Sequence, residues 1–204
     1  MIVKFCGIRR EEDVRFCNLL NPTMIGLIFA ESPRKVEKEV AQKLLRIKSP
    51  CIKAVGVFKD QNLSDVLSIS TQLKLDFVQL HGNEDIEFIE YLKTKGFKVI
   101  KAVEVENLSD IKKAAIYKGI ADFILIDRPK GREVDVVALA KNVHFDFIIA
   151  GGITPENLEK YLALKPVGID ISSGVETNGI KDFGKMKLII EKVKKYKAGE
   201  VENG

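Results

Sequence analysis

Several short segments of the sequence combine side chains that can move protons or bind anions, and each follows a short apolar run. They supply a thiol, carboxylates, an imidazole, guanidinium groups and clustered glycine and serine residues. The segments read Cys6-Gly7, Ser32-Pro33-Arg34, Gln79-Leu80-His81-Gly82, Asp127-Arg128, Gly151-Gly152 and Asp170-Ile171-Ser172-Ser173-Gly174. Such a set is suited to general acid–base chemistry on a small anionic ligand.

Asp127 is the first candidate for a proton donor, because it ends the apolar run at residues 123–126. Burial among apolar neighbours is expected to raise the pKa of its carboxyl, so that the group can hold a proton near neutrality. A structural alternative stays open. Asp127 could instead cap the following turn or pair with Arg128 or Arg132.

Cys6 is a candidate base with the same ambiguity, since a cysteine at the end of a strand is often a small hydrophobic residue of the core. The adjacent Gly7 and the basic Arg9 and Arg10 permit a lowered thiol pKa without requiring one. The sequence therefore leaves both a reactive and a packing role for Cys6.

Two further side chains could contact a ligand. Arg34 follows Ser32-Pro33, and this rigid turn could direct its guanidinium inward to bind a carboxylate. A surface position is the alternative for Arg34. His81 could act as a ligand, as a base or as a histidine that is satisfied beneath a loop.

The Gly151-Gly152 pair and the Ser172-Ser173-Gly174 segment are candidates for phosphate binding. Phosphate requires backbone N–H groups at close approach, which glycine-rich turns before helix N-termini supply. A tight turn would explain Gly-Gly alone. The two segments together favour phosphate binding, because the loops after strands seven and eight typically build the phosphate site of a barrel.

The elements that must position these residues alternate between short apolar strands and longer helical segments. The predicted strands cover residues 2–6, 24–30, 52–58, 77–81, 98–103, 122–127, 145–151 and 167–172. Runs that are apolar nearly throughout are typical of strands buried on both faces of a parallel sheet. Eight such units predict an α/β fold, a single (β/α)8 TIM barrel with short loops, whose strand ends meet at one mouth.

The structural rival is an open doubly wound sheet, but no G-x-G-x-x-G motif follows the first strand. One domain is expected over residues 1–204, with residues 198–204 forming a frayed tail. A chain of 204 residues is short for a barrel and leaves little room for an inserted lid.

Composition narrows the possible partners and compartments. The 33 basic and 29 acidic residues give a net charge of +4, which favours a solvated outer face over a nucleic-acid surface. No apolar stretch approaches the roughly 20 residues of a membrane span. The three cysteines show neither disulfide nor zinc spacing. We therefore expect a cytoplasmic protein without bound metal, nucleic acid or membrane.

The sequence resembles the phosphoribosylanthranilate isomerase family of tryptophan biosynthesis over nearly its whole length. The motifs that carry the resemblance are long, and they occur in the order that the family shows. They read KFCGI, SPRKV, GVF, VQLHG, ILID, AGGITPENL and DISSGVETNGIKD.

The resemblance implies an isomerase that performs an Amadori rearrangement of N-(5'-phosphoribosyl)anthranilate without metal or organic cofactor. Asp127 would match the general acid and Cys6 the general base. Arg34 would face the anthranilate carboxylate, with His81 and Asp170 in supporting roles. The phosphate would lie against Gly151, Gly152, Ser172, Ser173 and Gly174. The partner would be a small anionic sugar phosphate, and the protein a monomer or homodimer.

One segment departs from the family pattern. Members usually carry a longer glycine-rich loop after the sixth strand, ending in Phe-Asp-Trp, whereas Asp127 is followed here by RPKGREVDVVAL. The shorter loop could mean a more open pocket, slower turnover or another way to cover the substrate.

The rival functions are a different phosphate-binding barrel, such as a pentose-phosphate epimerase or a thiamin-phosphate synthase relative, and a non-catalytic ligand-binding barrel.

Overall fold

Eight parallel strands close into a barrel in the computed structural model, which describes residues 1–202 and the side chains of residues 1–199. The strands are β1 Ile2–Cys6, β2 Met24–Ile28, β3 Lys53–Phe58, β4 Phe77–Leu80, β5 Lys98–Glu104, β6 Phe123–Asp127, β7 Phe147–Ile149 and β8 Gly168–Ile171. Strand β8 pairs with β1 in the register Ile2↔Gly168 and so completes the barrel. The predicted (β/α)8 barrel is confirmed, and the open-sheet alternative is wrong.

A helix follows each strand in chain order. The helices are α1 Glu11–Leu20, α2 Lys38–Ile47, α3 Leu63–Leu73, α4 Ile86–Thr94, α5 Leu108–Ala115, α6 Val136–Ala140, α7 Leu158–Leu162 and α8 Phe183–Glu202. Asp85, Asn107 and Asp135 precede α4, α5 and α6, and each accepts a hydrogen bond from a backbone N–H of the first turn. Such caps satisfy donors that a helix start leaves unpaired.

Helix α8 extends further than predicted. It continues to Glu202 through most of the segment expected to be a frayed tail, and residues 203–204 lie outside the described residues. The helix crosses Gly199, which costs about 1 kcal/mol relative to alanine but does not force an end. No proline follows that would do so.

The alternation of side chains along the strands produces two buried layers. One layer lies between the sheet and the helices. The other fills the barrel and consists mainly of Met24, Val55, Phe77, Ile100, Ala102, Leu125, Ile148 and Ala150. Above this inner layer, the carboxyl ends of the strands carry the polar residues that form the mouth of the barrel.

A small hairpin borders the mouth after β8. A 3-10 helix, Ser173–Val175, leads into β9 Glu176–Thr177, which pairs with β10 Ile180–Lys181. The intervening Asn178 and Gly179 have φ angles of +52° and +74°, the left-handed conformation that a tight hairpin turn requires. The hairpin brings Glu176 and Lys181 next to the first strands of the barrel.

Candidate active site

A cavity of about 280 Å³ opens at the carboxyl ends of the strands. Every site residue predicted from the sequence lines it: Cys6, Arg34, His81, Asp127, Gly151, Gly152, Asp170, Ser172, Ser173 and Gly174. The barrel topology brings these residues together from all parts of the chain. The structure therefore offers one site in which acid–base groups and glycine-rich turns face the same ligand volume.

Cys6 lies at the end of β1 with only 6% of its surface exposed. Burial raises the pKa of its thiol, which is opposite to the lowered pKa that the neighbouring Arg9 and Arg10 would permit. Those two arginines are engaged elsewhere. Arg9 donates to the carbonyl oxygens of Pro33 and Gly179, and Arg10 pairs with Asp13.

The carboxylate of Asp127 has two different neighbours. Its Oδ1 accepts a hydrogen bond of 2.8 Å from the backbone N–H of Arg128, and its Oδ2 lies 3.4 Å from Nε2 of His81. The turn-capping role is thus present, together with exposure to the cavity. Arg132 does not take part, because it pairs with Glu106.

His81 joins Asp127 to a residue that the sequence analysis missed. The Oε1 of Glu104 lies 3.9 Å from the His81 Nε2 and 3.5 Å from the Nζ of Lys59. Glu104 is the β5 residue in register with Asp127 on β6. Its signal was its position directly after the predicted fifth strand, where a polar side chain must reach the mouth.

Arg34 reaches the cavity but already has a protein partner. Its Nε and Nη2 donate to the two carboxylate oxygens of Glu176 at 2.7 and 2.6 Å, and Lys181 donates to Glu176 Oε1 at 2.8 Å. Burial opposes ionisation of Glu176, but these hydrogen bonds outweigh it and lower its pKa to about 2. Glu176 was another residue that the sequence analysis did not single out.

The glycine segments adopt conformations that bring backbone close to other groups. Gly151 and Gly152 have φ angles of +95° and +81°, which most residues avoid. At Gly174, an added Cβ would lie only 1.7 Å from the carbonyl oxygen of Ile153. The guanidinium of Arg128 lies over Gly152 and adds positive charge to this side of the cavity.

Lys4 and Asp170 form a buried ion pair at the base of the cavity. Lys4 is fully buried, and its Nζ donates to Asp170 Oδ2 at 2.9 Å. Lys4 was missed in the sequence analysis because it lies inside the apolar run IVKFC. Its signal was its spacing, since residues two apart in a strand share a face and Lys4 precedes Cys6 by two.

Within the part of the chain that the structure describes, no three or more His, Cys, Asp or Glu side chains are grouped so that they could hold a metal ion. None of the helices described combines the length and apolar character that membrane crossing requires.

Comparison with known proteins identifies close relatives. A sequence profile described as N-(5'-phosphoribosyl)anthranilate (PRA) isomerase matches residues 3–192. The N-(5'-phosphoribosyl)anthranilate isomerase of Clostridium acetobutylicum is 40% identical over 206 residues, covering 96% of this chain and 98% of that protein.

Solved structures resemble the fold equally well. The phosphoribosyl anthranilate isomerase of Thermus thermophilus has a TM-score of 0.85 and 34% identity, covering 96% of this chain and 99% of that one. A phosphoribosyl anthranilate isomerase in complex with reduced 1-(o-carboxyphenylamino)-1-deoxyribulose 5-phosphate has a TM-score of 0.83 and 31% identity, covering 95% and 99%.

Proposed function

The chain belongs to the N-(5'-phosphoribosyl)anthranilate isomerase family, and we propose that Cys6 and Asp127 carry out the proton transfers of its reaction. The enzyme converts N-(5'-phosphoribosyl)anthranilate to 1-(2-carboxyphenylamino)-1-deoxyribulose 5-phosphate in tryptophan biosynthesis. Family membership sets aside the other phosphate-binding barrels and the non-catalytic barrel. The observation that carries the proposal is that the thiol and the carboxyl line one cavity together with the glycine-rich turns.

Asp127 begins the reaction as the general acid. Its carboxyl gives a proton to the furanose ring oxygen, the bond from that oxygen to C1' breaks, and the anilino nitrogen lone pair forms the protonated Schiff base. The contact between Asp127 Oδ2 and His81 Nε2 supports a role for His81 in orienting this carboxyl. The ring can then open without a metal ion to polarise it.

Cys6 continues the reaction as the general base. The positive nitrogen of the Schiff base acidifies the C2' proton, so a base with a near-neutral pKa suffices to remove it. The thiolate takes that proton, the electron pair forms the enolamine, and tautomerisation with protonation at C1' yields the ketone. The buried setting of Cys6 makes the thiolate costly unless nearby cations stabilise it.

Arg34 is proposed to bind the anthranilate carboxylate with the edge that Glu176 does not use. A guanidinium has five N–H donors, and Glu176 engages Nε and Nη2. The remaining donors form a second edge that suits a carboxylate. Glu176 would thereby hold the guanidinium in a fixed plane.

The phosphate is proposed to bind between Gly151-Gly152 and Ser172-Ser173-Gly174, beside the Arg128 guanidinium. Asp170 Oδ1 has no hydrogen-bond partner among residues 1–199 and is buried at the cavity, so we assign it to a sugar hydroxyl.

A cytoplasmic location suits a catalytic thiol, because the reducing cytosol keeps thiols free.

The acid–base assignment is tested by Cys6→Ser and Asp127→Asn. Each variant is expected to lower kcat by at least about 100-fold, because general acid–base catalysis contributes factors of this size. Affinity for the reduced product analogue, measured by calorimetry, should change little. If both variants kept a near-normal kcat, Cys6 and Asp127 would not be the acid–base pair.

A further inference from the structure

The buried Lys4 is the feature of the barrel that neither the reaction steps nor the packing above explains. Lys4 and Cys6 lie on the same, inward face of β1, and the ammonium of Lys4 donates to Asp170 and interacts electrostatically with the Cys6 sulfur. An ammonium has three N–H donors and no acceptor. Lys4 can therefore donate to the carboxylate and to a thiolate at the same time.

The neighbouring strand β2 leaves space for the Lys4 ammonium and the Cys6 sulfur. Gly26 on β2 pairs with Cys6 on β1. A Cβ added at Gly26 would lie 2.8 Å from Cys6 Sγ and 3.0 Å from Lys4 Nζ. The sulfur and the ammonium thus converge on the bare backbone of Gly26, and any larger residue there would separate them.

Stability alone does not account for a lysine at this position. Replacing a buried ion pair by apolar residues of similar volume is often neutral or stabilising, because desolvation offsets the attraction of the charges. This pair is also incomplete, since Asp170 Oδ1 has no hydrogen-bond partner within residues 1–199. A charge placed here has its clearest effect on the thiol next to it.

The charged groups that face Cys6 come from several elements. Burial raises the pKa of the thiol, the positive charge of Lys4 on β1 lowers it, Asp170 on β8 raises it, and Lys181 on β10 lowers it. Arg34, after β2, also faces the sulfur. The pKa of Lys4 itself is raised, because Asp170 and Cys6 outweigh its burial, so Lys4 remains a cation.

We propose that Lys4, held by Asp170, is the positioning residue that stabilises the Cys6 thiolate and thereby prepares the base for the isomerase reaction. The inference rests on the proposed role of Cys6. During turnover the proton moves from C2' to sulfur, and Lys4 keeps its own proton throughout. Lys4 does not touch the substrate and acts only through Cys6.

The test is the pH dependence of iodoacetamide alkylation at Cys6 without substrate, with the Cys6 peptide quantified by mass spectrometry. Lys4→Met should move the thiolate transition to higher pH. At a fixed pH below the transition, alkylation should slow about tenfold for every pH unit that the transition rises. Asp170→Asn should move the transition to lower pH. Lys101→Met removes another buried lysine, paired with Glu84 on the outer face of the sheet, and should leave the transition unchanged.

A double variant guards against misfolding of Lys4→Met, which leaves Asp170 unpaired. Lys4→Met/Asp170→Asn carries no unpaired charge, and its transition should lie above that of Asp170→Asn alone. Coincident transitions in these two proteins, or in Lys4→Met and the wild type, would overturn the role of Lys4. Because alkylation needs no substrate, this failure is separate from a failure of the isomerase assignment, which only turnover can show.

Discussion

Two of the protein's buried lysine–carboxylate pairs have similar geometry but lie on opposite faces of the barrel sheet. Lys4 and Asp170 meet inside the barrel at 2.9 Å, and Lys101 and Glu84 meet outside it, under the helices, at 2.8 Å. All four side chains are less than 10% exposed. Their hydrogen-bond partners nevertheless differ, and the difference separates a structural pair from a functional one.

The outer pair is saturated by the backbone. Glu84 Oε1 accepts from the N–H of Asp60, Glu84 Oε2 accepts from the N–H of Gly82, and Lys101 donates to the carbonyl oxygen of Gly82. These bonds tie the loop after β3 to the loop after β4. The pair therefore fixes the chain beside His81 and has no donor or acceptor directed at a ligand.

The inner pair lacks one hydrogen-bond partner at the cavity. Asp170 Oδ1 has no partner within residues 1–199, and Lys4 faces the thiol of Cys6. A buried polar atom without a partner costs free energy unless a ligand satisfies it. The outer pair is therefore complete within the described protein, whereas the inner pair leaves one carboxylate oxygen for a ligand.

The largest expected effect is on the outer pair. Lys101→Met should lower the free energy of unfolding by about 3–5 kcal/mol, because it leaves Glu84 buried without its cation. Urea denaturation measures the loss. The double variant Lys101→Met/Glu84→Gln should recover part of it. A loss below about 1 kcal/mol in the single variant would show that the pair is not a structural support.

Glu176 is a saturated carboxylate that lies beside the cavity, and its effect should appear in acid. Its pKa is lowered to about 2, against 4.5 for an ordinary glutamate, so its contribution is present above about pH 5 and is lost as pH falls toward 2. The lowered pKa corresponds to at most about 3 kcal/mol of unfolding free energy, because solvent at the cavity screens part of the interaction. Unfolding free energies measured across this range should fall less steeply in Glu176→Gln. Equal slopes in the wild type and Glu176→Gln would show that the hydrogen bonds from Arg34 and Lys181 to Glu176 do not stabilise the protein.

Asp170→Asn tests the incomplete carboxylate through the substrate. Losing a charged acceptor for a sugar hydroxyl should lower kcat/KM by about 10–100-fold, since such hydrogen bonds contribute about 1.5–3 kcal/mol. The wild type and the variant should be compared at a pH where Cys6 is ionised in both, because the substitution also changes the pKa of the thiol. Glu84→Gln, the matched change in the outer pair, should leave kcat/KM near wild type in the folded protein. An unchanged kcat/KM in Asp170→Asn would contradict its contact with substrate.

The smallest change in unfolding free energy is expected for a solvent-exposed ion pair. Arg15 lies 3.5 Å from Glu11 on α1, with side chains 71% and 60% exposed. Arg15→Ala should change the free energy of unfolding by no more than about 0.5 kcal/mol, because solvent screens such pairs. A larger loss in urea denaturation would mean that burial is not what distinguishes the two lysine–carboxylate pairs from a surface pair.

Much of the fold was predictable because the barrel follows from local patterns. Each predicted strand is present, and the mouth residues appear at strand ends because the carboxyl ends of parallel strands meet on one side of a barrel. Cys6, Asp127 and the glycine turns were identified in this way. The order of family motifs then supplied roles that position alone left open.

What the sequence did not predict depends on distant pairings. Lys4 meets Asp170 across 166 residues, and Arg34 meets Glu176 across 142 residues. No periodicity encodes such contacts, because they arise only when β8 closes against β1. The sequence left the direction of the Cys6 pKa open. Burial inside the closed barrel raises it, whereas Arg9 and Arg10, which could have lowered it, bind elsewhere.

The most direct test of the central claim is consumption of phosphoribosylanthranilate by the purified protein with a metal chelator present. Substrate fluorescence should fall at a rate that is proportional to enzyme concentration, and Cys6→Ser and Asp127→Asn should reduce that rate toward the uncatalysed background. Wild-type decay no faster than the uncatalysed background would contradict the claim that Cys6 and Asp127 form a working acid–base pair.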